Sequence, residues 1–145
     1  MSQLEAFRVL LVDDDVSLLE SMESILAEHF VVRCCASGYE ALRVLDSEPF
    51  HVACADWQMP GMDGVAFFQA VARRGLSVLP CCILITGHAS NLLGRVPYED
   101  RKMLGMLRKP FRAEQLIERV NQFASVAQLK RSNAALKAAM MGESK

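Results

Sequence analysis

The 145-residue sequence predicts a doubly wound α/β fold: a five-stranded parallel sheet, helices on both faces and a long final helix. Three observations predict it. Short apolar runs alternate with segments whose apolar residues recur every three or four positions. The runs are apolar at successive positions, as strands covered on both faces require. Polar or charged residues stand directly behind four of them, and right-handed crossovers gather such positions along one edge of a parallel sheet.

The elements follow in order. "FRVLLV" (7–12) ends in three aspartates and reads as a buried strand. Asp15 is a natural N-cap for the next helix, where Leu18, Leu19, Met22, Ile25 and Leu26 recur at helical spacing. "VVRCC" (31–35) is the second strand, and Ser37-Gly38 leads into a helix carrying Ala41, Leu42 and Leu45. "HVACA" (51–55) brings Asp56 to its end, and Gly64 opens a helix with Val65, Phe68 and Val71 on one face. "CCILI" (81–85) ends at Thr86, and "GMLR" (105–108) reads as the fifth strand. Between them, 88–104 has helical length, but Gly94 and Pro97 interrupt it. An interior proline costs a helix about 3 kcal/mol, so a short or broken helix with an irregular loop is expected. From Ala113 a long helix begins.

Composition narrows the function classes. One domain of this length buries a real core. A net charge of −1 supplies no basic field, so neither nucleic acid nor an anionic membrane is an expected partner of this chain alone. The longest apolar runs are about eight residues, and "VLPCCILI" contains proline, so none spans a bilayer. "MSQLEAF" lacks a basic segment followed by a long apolar one, which argues against secretion. Cys34, Cys35, Cys54, Cys81 and Cys82 have no metal-ligand spacing and read as small buried hydrophobes. An odd, unspaced set fits a reducing cytoplasm.

The residues behind the strands carry the chemistry, because ligands of such sheets bind beyond the strand C-termini. They are Asp13-Asp14-Asp15, Asp56, Thr86 and Lys109. Strands lie about 4.8 Å apart, and two carboxylates 4 Å apart repel by about 4 kcal/mol at an effective dielectric of 20. The cluster therefore calls for a cation, and hard oxygen donors suit Mg²⁺. A carboxylate beside Mg²⁺ is also a nucleophile toward a phosphoryl group. The metal and Lys109 offset charge on its oxygens, while Thr86 donates a hydrogen bond. Taken singly, each residue has a plainer reading: a cap, a turn residue, a solvated lysine. Their joint arrival on one edge favours the chemical one.

The motifs "LLVDDD", "DWQMPGMDG", "ILITG" and "RKPF", in this order, resemble those of response-regulator receiver domains of bacterial two-component signalling, over about residues 6–125. The resemblance implies a flavodoxin-like strand order 2-1-3-4-5, with Asp56 as phospho-acceptor. It implies Mg²⁺ ligation by Asp14 directly, by Asp13 often through water, by Asp56, and by the backbone carbonyl of Gln58. Thr86 and Lys109 match the pair that engages the phosphoryl group, and Lys109-Pro110 matches a junction that is commonly cis. Pro60, Gly61 and Gly64 then shape the loop beside Asp56. The implied partners are a histidine kinase or histidine phosphotransfer protein and a downstream protein target. The module is a regulatory phospho-acceptor, not an enzyme.

The sequence departs from the family at Met106, where an aromatic ring commonly takes part in switching. Switching is then expected to rely on Thr86 and the loop after the fourth strand. His88, two residues past Thr86, and the Gln58 side chain are candidates for tuning acyl-phosphate lifetime, although such a histidine is more often simply exposed. Residues 1–125 are expected to form the receiver domain and 126–145 a helical extension. There Val126, Leu129, Asn133, Leu136 and Met140 follow a coiled-coil pattern over about two heptads. That makes 126–140 a candidate homodimer seam; the plainer reading is a solvated extension of the last helix. Its charge of +3 (Lys130, Arg131, Lys137 and Lys145 against Glu143) is too small to argue for membrane or DNA.

Two arrangements fit: a stand-alone receiver, or the receiver module of a hybrid kinase or larger regulator. A haloacid-dehalogenase-type phosphohydrolase would use Asp13 and Asp15, but it needs a further acidic pair after its lysine. Only Glu114, Glu118 and Glu143 follow Lys109, and Asp56 would have no role. A receiver fold that is never phosphorylated is opposed by the complete acid set.

Overall fold

The computed structural model describes residues 6–76, 79–87 and 104–143. Five parallel strands, β1 (Arg8–Val12), β2 (Val31–Cys35), β3 (Val52–Asp56), β4 (Cys81–Thr86) and β5 (Leu104–Arg108), form one sheet in the order β2-β1-β3-β4-β5. The helices are α1 (Val16–Leu26), α2 (Gly38–Ser47), α3 (Gly64–Arg73) and α4 (Ala113–Glu143). The interrupted segment expected over 88–104 lies outside the described residues, except Leu104, which belongs to β5.

Strand alternation builds two cores. Leu10, Val12, Ala53, Ala55, Cys82 and Leu84 face α2 and α3, meeting Leu42, Leu45, Phe68 and Val71. Val9, Leu11, Val52, Cys54, Ile83 and Ile85 face α1 and α4, meeting Leu19, Met22, Leu26, Leu116 and Val120. Apart from Arg8, Asp56 and Thr86 at their ends, the central strands are therefore apolar at successive positions, as expected. β2 differs, because it is an edge strand. Val31 is 45% exposed, Arg33 is exposed and Cys34 is half-buried, so the second strand is covered only in part.

Side-chain caps start the first three helices, the one at Asp15 as read and those at Ser37 and Asp63 seen only in the structure. Asp15 accepts the Leu18 N–H at 3.1 Å, Ser37 accepts the Glu40 N–H at 3.2 Å, and Asp63 accepts the Ala66 N–H at 2.8 Å. α4 runs unbroken for 31 residues, about 46 Å at 1.5 Å per residue. Leu116, Val120, Ala124 and Ala127 are buried on one face of it. Gln128 and Arg131 continue that contact at the N-terminal end of β3. Gln128 Oε1 lies 3.0 Å and Arg131 Nη1 2.9 Å from His51 Nε2, and Arg131 Nη2 donates to the Phe50 carbonyl. The other ring nitrogen of His51 accepts the Arg8 N–H at 3.0 Å. Residues 132–141 are exposed.

Candidate functional site

Strand order reverses between β1 and β3, with β2 on the far side of β1, and this places the end of β1 directly beside the end of β3. The register pairs Val12 with Ala55, so Asp13 and Asp56 each follow a paired residue. One ligand atom from each of Asp13, Asp14 and Asp56 lies within 4.8 Å of the others. On the other side, Asp56 pairs with Ile85 and stands one step from buried Thr86. The Lys109 N–H donates to the Thr86 carbonyl at 2.8 Å, the Lys109–Pro110 bond is cis, and the ammonium donates to Asp56 Oδ1 at 2.9 Å. Three carboxylates thus meet one ammonium.

Asp13 is 1% exposed. Its Oδ1 accepts the Asp15 N–H at 2.9 Å, while its Oδ2 is buried without a hydrogen-bond partner. Burial pushes its carboxyl up to about 6, against the hydrogen bond from Asp15; the Asp56 carboxylate adds to the rise, Lys109 opposes it, and Asp14 adds less. An orphaned buried carboxylate oxygen beside two more carboxylates is the donor set a hard divalent cation fits. Asp14 is exposed, which leaves a side open to water.

The loop after Asp56 is held close. The Trp57 N–H donates to the Ile85 carbonyl at 2.8 Å, and the Gly64 N–H to the Trp57 carbonyl at 3.0 Å. A Cβ on Gly64 would lie 2.6 Å from the Asp56 carbonyl oxygen and 2.7 Å from Leu84 Cδ2, so only glycine lets α3 start there. Gly61 has φ +80°, a conformation few other residues adopt. Gln58 is exposed on this loop, two residues past Asp56. Met106 is partly buried against the α2–α3 side of the core, and Arg119 Nη1 donates to its carbonyl. His88 lies outside the described residues.

Sequence reading missed the groups that hold this site from behind. The Asp13 N–H donates to the Cys35 carbonyl at 3.2 Å, and Tyr39 lies against Gly61. A backbone carbonyl has no sequence signature, and Tyr39 stands in the first turn of α2 with no motif to single it out.

A family model described as the response regulator receiver domain matches residues 9–121. The C4-dicarboxylate transport transcriptional regulatory protein DctD of Rhizobium meliloti is 32% identical over 132 residues, covering 90% of this chain and 28% of its own length. The transcriptional regulatory protein TctD of Salmonella typhimurium is 34% identical over 114 residues, covering 78% and 50% respectively. The chain thus spans half or less of the length of these two relatives. A high-resolution structure of the Vibrio cholerae chemotaxis protein CheY4 superposes with a TM-score of 0.72 at 27% identity, covering 82% of this chain and 99% of that one.

Proposed function

This chain belongs to the response regulator receiver domain family, and from that premise we propose that it takes a phosphoryl group onto Asp56. The donor is a histidine kinase or histidine phosphotransfer protein in the cytoplasm. A carboxylate oxygen of Asp56 attacks phosphorus, the bond from phosphorus to the donor imidazole breaks, and the imidazole leaves. Mg²⁺ held by Asp13, Asp14, Asp56 and the Gln58 carbonyl would offset the carboxylate repulsion and the charge on the phosphoryl oxygens. The Lys109 ammonium, now 2.9 Å from Asp56 Oδ1, neutralises that carboxylate and is within reach of the incoming group. Thr86, one residue beyond the β-partner of Asp56, supplies a hydroxyl to it. With Met106 in place of a ring, Thr86 and the loop after β4 carry the switch. The protein is a phospho-acceptor rather than an enzyme.

The observation that carries this reading is the meeting of Asp13, Asp14 and Asp56 within 4.8 Å, with an orphaned oxygen on Asp13. Acetyl phosphate with Mg²⁺ is expected to add one phosphoryl group by intact mass, and Asp56→Asn to abolish the gain. No gain, or a gain that survives Asp56→Asn, refutes the assignment.

Residues 1–125 form the receiver in this reading and 126–145 its helical extension, which self-associates through 126–140. Leu129, Leu136 and Met140 are 63%, 61% and 62% exposed. At 100° per residue they lie opposite the domain-facing Leu116, Val120, Ala124 and Ala127. A parallel pair sets Lys130 and Lys137 against Ser125 and Ser132, whereas an antiparallel pair sets Lys130 against Lys137, so charge favours parallel helices.

A further inference from the structure

We propose that the β2–α2 junction, residues 35–39, brackets the acid site from behind, and that Tyr39 is the positioning residue for the loop after Asp56. The junction contributes no ligand, yet it reaches both loops that do. Toward the first, the Cys35 carbonyl accepts the Asp13 N–H at 3.2 Å, at the start of the Asp13-Asp14 pair. Toward the second, Gly38-Tyr39 and Gly61-Met62 interlock reciprocally. A Cβ on Gly61 would lie 3.2 Å from Tyr39 Cε2 and 3.4 Å from its hydroxyl oxygen, so the ring lies over that glycine. A Cβ on Gly38 would lie 2.8 Å from Met62 Sδ, so the thioether fills the gap that glycine leaves. Each glycine is the hole for the other segment's side chain.

The reason such a bracket matters is the freedom of the loop it covers. Gly61 sits at φ +80°, where glycine has many alternatives close in energy. Two hydrogen bonds pin the loop beyond it: the Met62 N–H to the Pro60 carbonyl at 2.9 Å and the Gly64 N–H to the Trp57 carbonyl at 3.0 Å. Gln58, three residues before Gly61, carries the carbonyl assigned to Mg²⁺, an assignment from the proposed function on which this inference rests. Mg²⁺ tolerates little deviation from octahedral ligation at about 2.0–2.1 Å, so a small drift of that carbonyl weakens binding. Tyr39 is 53% exposed, a large ring kept at the surface while its edge lies against the loop. Its replacement therefore removes the bracket without emptying either core.

Trp57 is the sole tryptophan and adjoins Asp56, so its fluorescence in the full chain is one probe of Mg²⁺ binding, with calorimetry as the independent measure. Tyr39→Ala is expected to weaken Mg²⁺ binding about tenfold, the scale of outer contacts at metal sites, with the denaturant midpoint close to the parent's. Tyr39→Phe, which keeps the ring, is expected to bind as the parent does. In metal-free protein the Met62 and Gly64 amides should exchange faster in Tyr39→Ala. A Tyr39→Ala protein that binds Mg²⁺ as tightly as a parent that does bind it overturns the bracket alone. A parent that binds no Mg²⁺ by either measure overturns the proposed function, and the bracket with it.

Discussion

Asp13 shows what burying a single carboxylate costs a fold. Its carboxyl is pushed from the ordinary 3.8 to about 6, chiefly by burial. Between those values the folded protein holds a proton that the unfolded chain has lost, so stability falls as pH rises through the window. The whole penalty is present above about pH 6 and vanishes below about pH 4. Asp13→Asn is therefore expected to stabilise the metal-free protein at pH 7.5 by about 1–3 kcal/mol, with no gain near pH 3.5. Urea unfolding at the two pH values measures this. Added Mg²⁺ should reverse the order, because ligand stabilises only the form that binds it well. Asp13 was legible as one of three consecutive acids behind an apolar run. Its orphaned Oδ2 was not, because that depends on what surrounds the oxygen in space.

Among the elements, α4 has the most to carry. Its buried face covers the sheet, and at β5 it demands a particular neighbour. A Cβ on Gly105 would lie 2.5 Å from both Cε2 and Cζ of Phe123, so the ring occupies the space a side chain would need. Gly105→Ala is expected to destabilise the protein by about 1–3 kcal/mol through overpacking. In a Phe123→Ala background the same change should cost much less, which a double-mutant cycle reads as coupling. The helix itself was legible from Ala113 onward. The need for glycine inside "GMLR" was hidden, because residues 105 and 123 are neighbours only after packing. The β2 strand teaches the converse: "VVRCC" reads as buried on both faces, yet its place at the sheet edge leaves Val31 and Arg33 exposed.

For the whole molecule, the question is where the domain ends and the extension begins. The helix has no break at residue 125, and Ala127, Gln128 and Arg131 still hold it to the sheet through His51 and Phe50. Removing 126–145 is therefore expected to lower stability by about 2–4 kcal/mol, since it uncovers buried surface and leaves the Phe50 carbonyl and His51 without these partners. Removing only 132–145 should leave the denaturant midpoint near the parent's while abolishing self-association in sedimentation. A chain that sediments as a monomer before and after phosphorylation would make the apolar stripe idle. Among the described residues no helix is long and apolar enough to cross a membrane.

One dimension was enough for the five strands, the helices of the described residues, the cap at Asp15 and the residues that stand at the strand ends. Periodicity and capping are local, so they survive in one dimension. Tertiary structure alone decided which carboxylate oxygen has no partner, which glycines are filled by distant side chains, and where the last helix lets go of the sheet. Those properties belong to atoms brought together from far along the chain, and their physical cause is packing: a contact between residues 39 and 61, or 51 and 131, exists only once the sheet between them has formed.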